Sequence, residues 1–400
     1  MIDTAIIGAG PYGLSLAAHL RAAGVDFRIF GKPLTSWREN MPKGMMLKSD
    51  GFASNLSSPD PNSTLKTWCT ERGVEYDDEF IPVPLSVFVE YSAWFQQRYV
   101  PCLEEHQVIS LAKSARGYTL WLDNGESLEA AKVILAVGIN WFQNIPAPLC
   151  GLPAELLTHS FGHQELTQFT GKRVLVLGAG SSAVNTAVLA QEANVDVGIV
   201  ARTNAIQFHS PPDPDAVSWL KTITYPPSGL GPGWRSFLCS NAPRIFRRMP
   251  DSFRLRATKR HLGPESGWFM RDKLQAQQYL GHSVEGARAE GDRAVLIARN
   301  GEGRPVEIVA DHIIAATGFK PDLRSLPFLA SDLRMQISHL EHTPRLSDTF
   351  ETSVPGLYAL GILAANTFGP LMRFMVGAEY ASPRLAAHLV KIAGKVRAAA

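Results

Sequence analysis

Two glycine-rich segments of the same pattern occur in this chain. The first, residues 8–13, reads GAGPYG, and the second, residues 178–183, reads GAGSSA. Each follows an apolar run of strand character and precedes a helical pattern, and a strand, a glycine turn and a helix N-terminus together bind a pyrophosphate. The first glycine permits the turn, the second lets a phosphate approach the backbone, and the third position must be small. The repeat predicts two dinucleotides on one chain, as in hydride transfer from a nicotinamide to a flavin.

The first segment is the predicted site of the FAD pyrophosphate. We expect it to be lined by Gly8, Gly10, Pro11, Tyr12 and Gly13. Pro11 suits the first helical position, where no backbone N–H is needed.

The second segment is the predicted site of the nicotinamide cofactor. Gly178 and Gly180 form its turn, and Ser181 and Ser182 add hydroxyl donors for an anion. Arg202 ends the following predicted strand, at a position where an acidic residue favours a ribose 2′-hydroxyl and an arginine accommodates a 2′-phosphate. The sequence therefore predicts NADPH rather than NADH, with a surface arginine at a strand end as the alternative interpretation.

The composition is that of an ordinary globular protein. The chain has 400 residues, of which 45% are hydrophobic and 19% charged, and its net charge is +2. This balance predicts no general attraction to nucleic acid or membrane, and no apolar run is long enough for an integral membrane segment. The four cysteines are scattered, without C-x-x-C or metal-ligand spacing, so we expect no metal and a cytoplasmic location.

The pattern of elements predicts an α/β fold of two Rossmann-like dinucleotide-binding domains, with the NADPH domain inserted into a discontinuous FAD domain. We expect the FAD domain to cover residues 1–164 and 312–400. The NADPH domain would cover 165–311, with an irregular insertion at about 203–283. Buried strands are predicted to end at Gly138, Gly318 and Gly361, where the chain could cross close to a cofactor.

Several segments together resemble class B flavin-dependent monooxygenases, the flavin-containing, N-hydroxylating and Baeyer–Villiger enzymes. They are the GAGPYG turn, Trp37, the residues His159-Ser160-Phe161 before GKRVLVLGAGSSA, the ATGF of 316–319 and the GLYALG of 356–361. The resemblance implies an FAD- and NADPH-dependent monooxygenase. Such an enzyme inserts one oxygen atom of O2 into an amine, thioether or ketone through a flavin C4a-(hydro)peroxide. Gly31 stands where many such proteins have an acidic residue that holds the adenosine ribose.

The resemblance also implies further site residues. Trp37, Lys48 and Asn55 would border the flavin ring, and the Asn55 amide could stabilise developing negative charge. The alternatives are a turn role for Asn55 and a solvated Lys48. A helix near Pro370 would direct its positive end at the flavin and involve Phe368, Gly369 and Leu371, unless these residues are core.

Other interpretations stay open at this point. Residues 244–260 carry seven Lys or Arg against Asp251 alone, which indicates either a solvated basic face or a surface for a membrane or partner. An NADPH oxidase or flavoprotein reductase without an oxygenated product, or a non-catalytic FAD-binding sensor, would share the same cofactor motifs. The predicted partners are a small-molecule substrate and O2, without nucleic acid, and a homo-oligomer is an open possibility.

Overall fold

The computed structural model describes residues 1–212, 223–261 and 263–399, with side chains up to residue 394. Part of the expected 203–283 insertion, residues 213–222 and 262, therefore lies outside the described residues.

The strands, in chain order, are β1 (Ile2–Ile7), β2 (Phe27–Phe30), β3 (Leu103–Glu104), β4 (Val108–Ser114), β5 (Gly117–Leu122), β6 (Ser127–Leu135), β7 (Leu157–His159), β8 (Arg173–Leu177), β9 (Asp196–Val200), β10 (Gln207–Phe208), β11 (Glu265–Ser266), β12 (Gln277–Tyr279), β13 (Ser283–Glu290), β14 (Arg293–Arg299), β15 (Pro305–Ala310), β16 (His312–Ala315), β17 (His339–Leu340), β18 (Thr343–Pro344) and β19 (Leu357–Ala359).

The α-helices of the described residues are α1 (Pro11–Ala22), α2 (Thr35–Glu39), α3 (Leu65–Arg72), α4 (Leu85–Tyr99), α5 (Ser181–Glu192), α6 (Trp234–Asn241), α7 (Pro243–Arg247), α8 (Asp251–Arg260), α9 (Ser331–Gln336), α10 (Ala365–Phe368) and α11 (Gly377–Ala399). Short 3₁₀ turns connect several of them, including residues 361–364 and 370–373.

The first sheet holds the N-terminal glycine turn. Its strand order is β3-β2-β1-β6-β5-β4, and β19 pairs with the C-terminal half of β6. The pairs that β1 makes with β2 and β6 are parallel, whereas β4, β5 and β6 form an antiparallel meander. Helices cover a parallel sheet on both faces, which explains why β1 and the end of β6 are apolar on both sides and buried.

The second sheet holds the other glycine turn. Its order is β12-β9-β8-β16-β7, and every pairing in it is parallel. The three antiparallel strands β13-β14-β15 pack against it through Leu296, Ile308 and Ile313. Both glycine turns thus follow a central strand that pairs in parallel with both of its neighbours, and the carboxyl end of such a strand is where α/β proteins bind ligands.

The strand pairing shows which chain segments belong to the second sheet. Strand β16 pairs with β8 at Ile314↔Val176, and β7 pairs with β16, so residues 157–159 and 312–315 are part of the second sheet. Both segments lie outside the predicted range 165–311. The parallel partner of a strand is distant in sequence, and the local pattern gives no information about which sheet it joins.

The chain crosses between the two sheets twice, and the two crossing segments lie side by side. Gln143 forms an antiparallel bridge with Phe319, and the Lys320 N–H donates to the carbonyl of Phe142 at 2.8 Å. The chain therefore leaves the first sheet after β6 and returns after β16 along neighbouring paths. The expected fold class, α/β with two Rossmann-like units, is confirmed.

Among its described residues, the inserted segment contributes the short helices α6, α7 and α8, which rest on residues 365–373 of the C-terminal part. Arg254 of α8 donates to the carbonyls of Asn366 and Thr367, and the Phe246 ring of α7 lies against Gly369. Among the described residues, none of the helices combines the length and the apolar character that a bilayer crossing requires.

Candidate active site

The first glycine turn leaves β1 and enters α1. Gly8 has φ +113°, and a Cβ placed on it would lie 2.3 Å from the carbonyl oxygen of Ala136. A Cβ on Gly13 would lie 1.9 Å from the carbonyl oxygen of Gly8, so both positions need glycine for close backbone packing. Gly10 has no atom within 4 Å of its Cβ position. The turn is therefore closed on its packed side and open at its second glycine.

The second glycine turn repeats this geometry between β8 and α5. Gly178 has φ +137°, and its Cβ position lies 2.4 Å from the carbonyl oxygen of Ala316. The N–H groups of Gly8 and Gly178 donate to the strand next in the sheet, to Phe30 at 2.8 Å and to Val200 at 2.9 Å. The Cβ position of Gly180 meets only Pro264, at 3.6 Å.

Both turns fit a dinucleotide pyrophosphate. In each, a 12-residue helix begins directly after the open second glycine, so its free N–H groups and its positive dipole end are available to an anion. The second turn is narrower because Pro264, from the inserted segment, lies beside it. The residues present therefore match the requirements of the two predicted cofactors.

Tyr12 lies behind the first turn. Its hydroxyl donates to the carbonyl of Phe374 at 2.8 Å, and its ring lies 3.3 Å from the Cβ position of Gly361. A Cβ on Gly377 would lie 2.2 Å from the same hydroxyl. Tyr12 therefore joins α1 to the C-terminal part, and burial raises the pKa of its phenol. This hydroxyl is committed to the fold, and its predicted place beside the phosphates has no support from this geometry. Pro11 occupies the first helical position, as expected.

Gly31 ends β2 beside the first turn. Its φ is +129°, and its Cβ position lies 3.4 Å from the backbone nitrogen of Ala9. An acidic side chain would be strained at this backbone conformation. The backbone conformation at Gly31 therefore disfavours the acidic residue that would bind the ribose.

Three strand-end glycines were predicted to border a cofactor. Gly138 (φ +65°) and Gly318 (φ +76°) have no atom within 4 Å of their Cβ positions, so both border open space at the chain crossings. Gly361 (φ +64°) is buried against Tyr12. The His159 ring accepts from the Phe161 N–H through Nδ1 and donates through Nε2 to the Gly318 carbonyl, which fixes that crossing beside the second sheet.

The loop after the first β-α-β unit places Trp37 and Asn55 in packed surroundings. The Trp37 ring lies 5.5 Å from that of Phe88. The Asn55 amide accepts from the Leu65 N–H at 2.8 Å and donates to the Phe52 carbonyl at 2.9 Å. These contacts match the turn role that was the alternative interpretation for Asn55. The same amide also forms a hydrogen bond with the carboxyl group of Glu379.

The residues after the last strand are core. Phe368 has no exposed surface and stacks on Phe350 at 4.2 Å between ring centroids, and Leu371 is 2% exposed. Both side chains are therefore packed in the core, which is the alternative that the sequence left open for them. Gly369 faces the Phe246 ring. The 3₁₀ turn begins at Pro370, as predicted, but ends at Arg373.

The polar side chains that are predicted to bind NADPH are at least partly exposed to solvent. Ser182 and Arg202 are exposed, and Ser181 is half-buried with its hydroxyl oxygen 3.2 Å from the Asn185 amide nitrogen. Arg202 follows β9 at the same edge of the sheet as the glycine turn.

Lys48 is surrounded by charged side chains that the sequence did not connect. His209 follows β10 and pairs with Glu265 of β11, with 2.7 Å between Nε2 and Oε2. Burial lowers the pKa of Lys48; Glu265 acts in the opposite direction, and Arg373 adds to the lowering. Burial and Lys48 also lower the pKa of His209. We call Lys48, His209, Glu265 and Arg373 the charged cluster.

Unpartnered polar atoms lie beside the charged cluster. Arg373 donates to the backbone carbonyls of Thr258 and His261 at 3.2 and 3.1 Å. His261 is 4% exposed, its Nε2 has no hydrogen-bond partner within the described residues, and burial with Arg235 and Arg373 lowers its pKa to about 4. The buried hydroxyl of Ser266 also has no hydrogen-bond partner within the described residues.

Sequence reasoning missed this cluster because its members come from residues 48, 209, 265 and 373. The parallel pairing of the short strands β10 and β11 brings His209 and Glu265 of the second unit together. His209 lies in no metal-ligand spacing, so its residue type alone gives no signal in the sequence. Among the described residues no group of three His, Cys, Asp or Glu could hold a metal ion, and the four cysteines are free thiols.

Comparison with known proteins finds relatives among FAD- and NADP-dependent enzymes. It is 24% identical to the FAD-dependent urate hydroxylase of Xanthomonas campestris pv. campestris, over 96% of this chain and 84% of that protein. It is 28% identical to a ferredoxin–NADP reductase of Ignicoccus hospitalis, over 53% of this chain and 59% of that protein.

The structure of an ornithine N-hydroxylase from Kutzneria sp. 744 superimposes with a TM-score of 0.79 at 14% identity, covering 98% of this chain and 99% of that chain. This confirms the resemblance to class B flavin-dependent monooxygenases at the level of the fold.

The family model described as pyridine nucleotide-disulphide oxidoreductase matches residues 5–227, more than half of the chain. That match takes in both glycine turns and the first of the two crossings between the sheets, and it confirms the expected class of enzyme, an oxidoreductase. The protein belongs to the pyridine nucleotide-disulphide oxidoreductase family.

Proposed function

We propose that this protein is an FAD- and NADPH-dependent monooxygenase of a small organic substrate, an amine, a thioether or a ketone. The observation that carries the proposal is the repeated geometry of Gly8–Gly10 and Gly178–Gly180. Each is an open turn at the end of a strand that pairs in parallel with both of its neighbours. One dinucleotide site would serve a simple dehydrogenase or a flavoprotein oxidase. Two sites serve an enzyme that reduces one dinucleotide with the other.

FAD would be held at the first turn, by the backbone of Gly8, Gly10 and Gly13, with Gly138 at the crossing. NADPH would be held at the second turn by Gly178, Gly180, Ser181, Ser182 and Arg202. When bound, NADPH supplies the hydride, and FAD supplies the redox centre that accepts it and activates O2. The two units would then correspond to an FAD domain and an inserted NADPH domain, the latter extended to include β7 and β16.

The chain's own residues would orient the substrate and control its charge. The charged cluster carries Lys48 and Arg373 against Glu265, with Arg235 adding positive charge at His261. This excess of positive charge favours a substrate or cofactor group that is anionic. Lys48 would bind that group, and Glu265 would hold Lys48 and His209 in place. The insertion beside Gly180 would exclude water from the cleft.

The test is oxygen incorporation by the purified protein. The flavin-containing protein is given NADPH and, in turn, amines, thioethers and ketones under ¹⁸O2. The proposal predicts one substrate class that accelerates NADPH oxidation and gains a single labelled oxygen in its product. Colourless protein that does not take up FAD, or NADPH oxidation that yields only H2O2 with every substrate class, contradicts it.

A flavoprotein reductase is the second candidate, favoured by the similarity to a ferredoxin–NADP reductase. It would transfer electrons from NADPH to a protein or dye acceptor without labelled product. Reduction of ferredoxin by NADPH at a rate above that of any oxygenation would favour it.

A further inference from the structure

The inserted segment exposes an unusual number of large apolar side chains. Of the fifteen exposed large hydrophobic side chains among the described residues, seven fall within residues 223–253. They are 40–60% exposed, and they are Ile223, Tyr225, Trp234, Leu238, Ile245, Met249 and Phe253. Single exposed apolar residues are normal on a protein surface, whereas a concentration of them marks an interaction site.

Helices α6 and α8 of this segment each have one attached side and one outward side. In α6, Ser236 and Cys239 are buried, while Trp234 and Leu238, spaced i and i+4, are exposed. In α8, Arg254 and Thr258 are buried against residues 365–367. Phe253 is exposed on the other side, with Arg256 and Arg260. The outward sides therefore combine apolar and basic residues.

The charge of this segment is mostly positive. Residues 223–260 contain eight Lys or Arg and a single acid, Asp251, which pairs with Arg254 and Arg345. Two of the basic residues, Arg244 and Lys259, pair with Asp348 and Glu341 from outside the segment. Arg235, Arg248, Arg256 and Arg260 are exposed, and no carboxylate among the described residues forms an ion pair with them. We call these four arginines and the seven apolar residues the apolar–basic face.

We propose that the apolar–basic face docks the enzyme on an anionic lipid surface. Trp, Tyr and Phe are the residues that occupy the boundary between lipid headgroups and acyl chains, and Arg side chains pair with anionic headgroups while their stems remain in apolar surroundings. This surface supplies both. It would bind in the plane of the interface and needs no membrane-spanning segment.

Two other occupants fit the observations less well. A two-fold dimer uses the same surface on both copies. A second copy bound through this face would therefore bring the arginines of one copy close to those of the other, and like charges repel. A nucleic acid would meet the arginines but would leave Ile223, Leu238 and Ile245 in water. An anionic lipid surface complements both the charge and the apolar side chains.

The test is co-flotation of the purified full-length protein with vesicles. One set contains phosphatidylcholine alone, and the other contains equal parts of phosphatidylcholine and phosphatidylglycerol. The proposal predicts about tenfold more bound protein on the anionic vesicles, and a decrease as salt is added. Equal binding to the two sets, or binding to neither, overturns it.

Two variants locate the binding. Trp234→Ser with Leu238→Ser removes apolar contact, and Arg248→Glu with Arg256→Glu reverses charge at exposed positions. Both are expected to reduce anionic vesicle binding at least about fivefold. Trp121→Ser, a 39% exposed tryptophan of β5, is the matched control and should bind as wild type does.

Thermal unfolding and bound flavin are measured for each variant. Arg248 and Arg256 lie on the surface, so we expect the variant that replaces them to fold. It therefore still tests the proposal if the Trp234→Ser with Leu238→Ser variant unfolds. Unchanged vesicle binding by the arginine pair contradicts the proposal. A dimer in sedimentation equilibrium that the Trp234 variant abolishes, or tighter binding to duplex DNA than to anionic vesicles, also overturns it.

Discussion

The Nε2 of His159 donates to the carbonyl oxygen of Gly318 at 3.0 Å, and this bond ties the end of β7 to the turn that follows β16. The Nδ1 of the same ring accepts from Phe161, so the imidazole is neutral and its tautomer is set. Burial lowers the pKa of His159, consistent with the neutral form. A residue from the sequence motif before the second glycine turn thereby positions the return crossing between the two sheets.

The two glycine turns give the most direct test of the cofactor assignment. Gly10→Ala places a methyl group in open space, so the fold should persist while bound FAD falls to less than about a tenth of one per chain. Gly180→Ala should leave FAD bound and raise the KM for NADPH. The flavin-to-protein absorbance ratio and steady-state kinetics measure the two effects.

Gly151→Ala is the matched control for these variants, since its Cβ position is also free of neighbours but lies outside both turns. Equal loss of FAD in the Gly10 and Gly180 variants would contradict the separate assignment of the two turns.

Arg202 tests the choice of nicotinamide cofactor. Arg202→Ala should raise the KM for NADPH about 10- to 100-fold, because a charge-assisted hydrogen bond to phosphate contributes about 1.5–3 kcal/mol. The KM for NADH should not change. Arg293→Ala, on the antiparallel β13–β15 sheet, serves as the control, and equal effects of Arg202→Ala on both cofactors would refute the assignment.

Glu265 tests the charged cluster through pH. Glu265→Gln removes the carboxylate that raises the pKa of both Lys48 and His209, so both pKa values should fall further. The limb of the kcat/KM profile that reports Lys48 should then move to lower pH. The control is Glu302→Gln, an exposed carboxylate of the second unit. A profile unchanged in position would place Lys48 outside the rate-determining chemistry.

Buried histidines predict the pH dependence of stability. Thr158 joins His163 and His312 through hydrogen bonds of 2.7 and 2.8 Å, and Gln168 donates to His163. Burial lowers the pKa of His163 to about 4, against about 6.5 in the unfolded chain. The unfolded state thus binds the proton more readily. Stability is complete above about pH 6.5 and falls as the pH drops towards 4.

Urea unfolding between pH 4.5 and 8 measures this effect, on the order of 1–3 kcal/mol for His163. His163→Gln should flatten the pH dependence, whereas His106→Gln, at an exposed position, should not. A wild-type unfolding midpoint that is the same at pH 5 and pH 7 would contradict the prediction.

Tyr12 tests the contact between α1 and the C-terminal part. Tyr12→Phe leaves the Phe374 carbonyl without its donor and should lower the free energy of unfolding by about 1–2 kcal/mol. FAD content should remain near that of wild type, because the hydroxyl faces away from the turn. Tyr99→Phe, whose hydroxyl bonds to Asp60 near the surface, is the comparison. Loss of FAD without loss of stability would instead place the Tyr12 hydroxyl at the cofactor.

The glycine turns could be predicted because their requirements are local. Gly8 and Gly178 need a positive φ and a close backbone approach, and each requirement restricts the position to one residue type. The strand partners of β7 and β16 could not be predicted in this way, since a buried apolar strand fits either sheet. Phe368 shows the same limit, because an aromatic residue near a cofactor and one in the core have the same local pattern.

The charged cluster forms through contacts between residues that are far apart in the sequence, so local patterns could not predict it. His209 and Glu265 lie far apart in sequence and meet only because two-residue strands pair in parallel. Their types gave no signal, since a lone histidine and a lone glutamate occur on every protein surface. The unpartnered Nε2 of His261 becomes visible only when burial is known.

The paired crossings at residues 142–144 and 317–320 constrain how the two units can move. A single linker permits rotation about its own axis, whereas two linkers joined by Gln143↔Phe319 and by the Lys320–Phe142 bond oppose torsion. The pair thereby stiffens the connection between the unit with the first glycine turn and the unit with the second against twisting about a single strand.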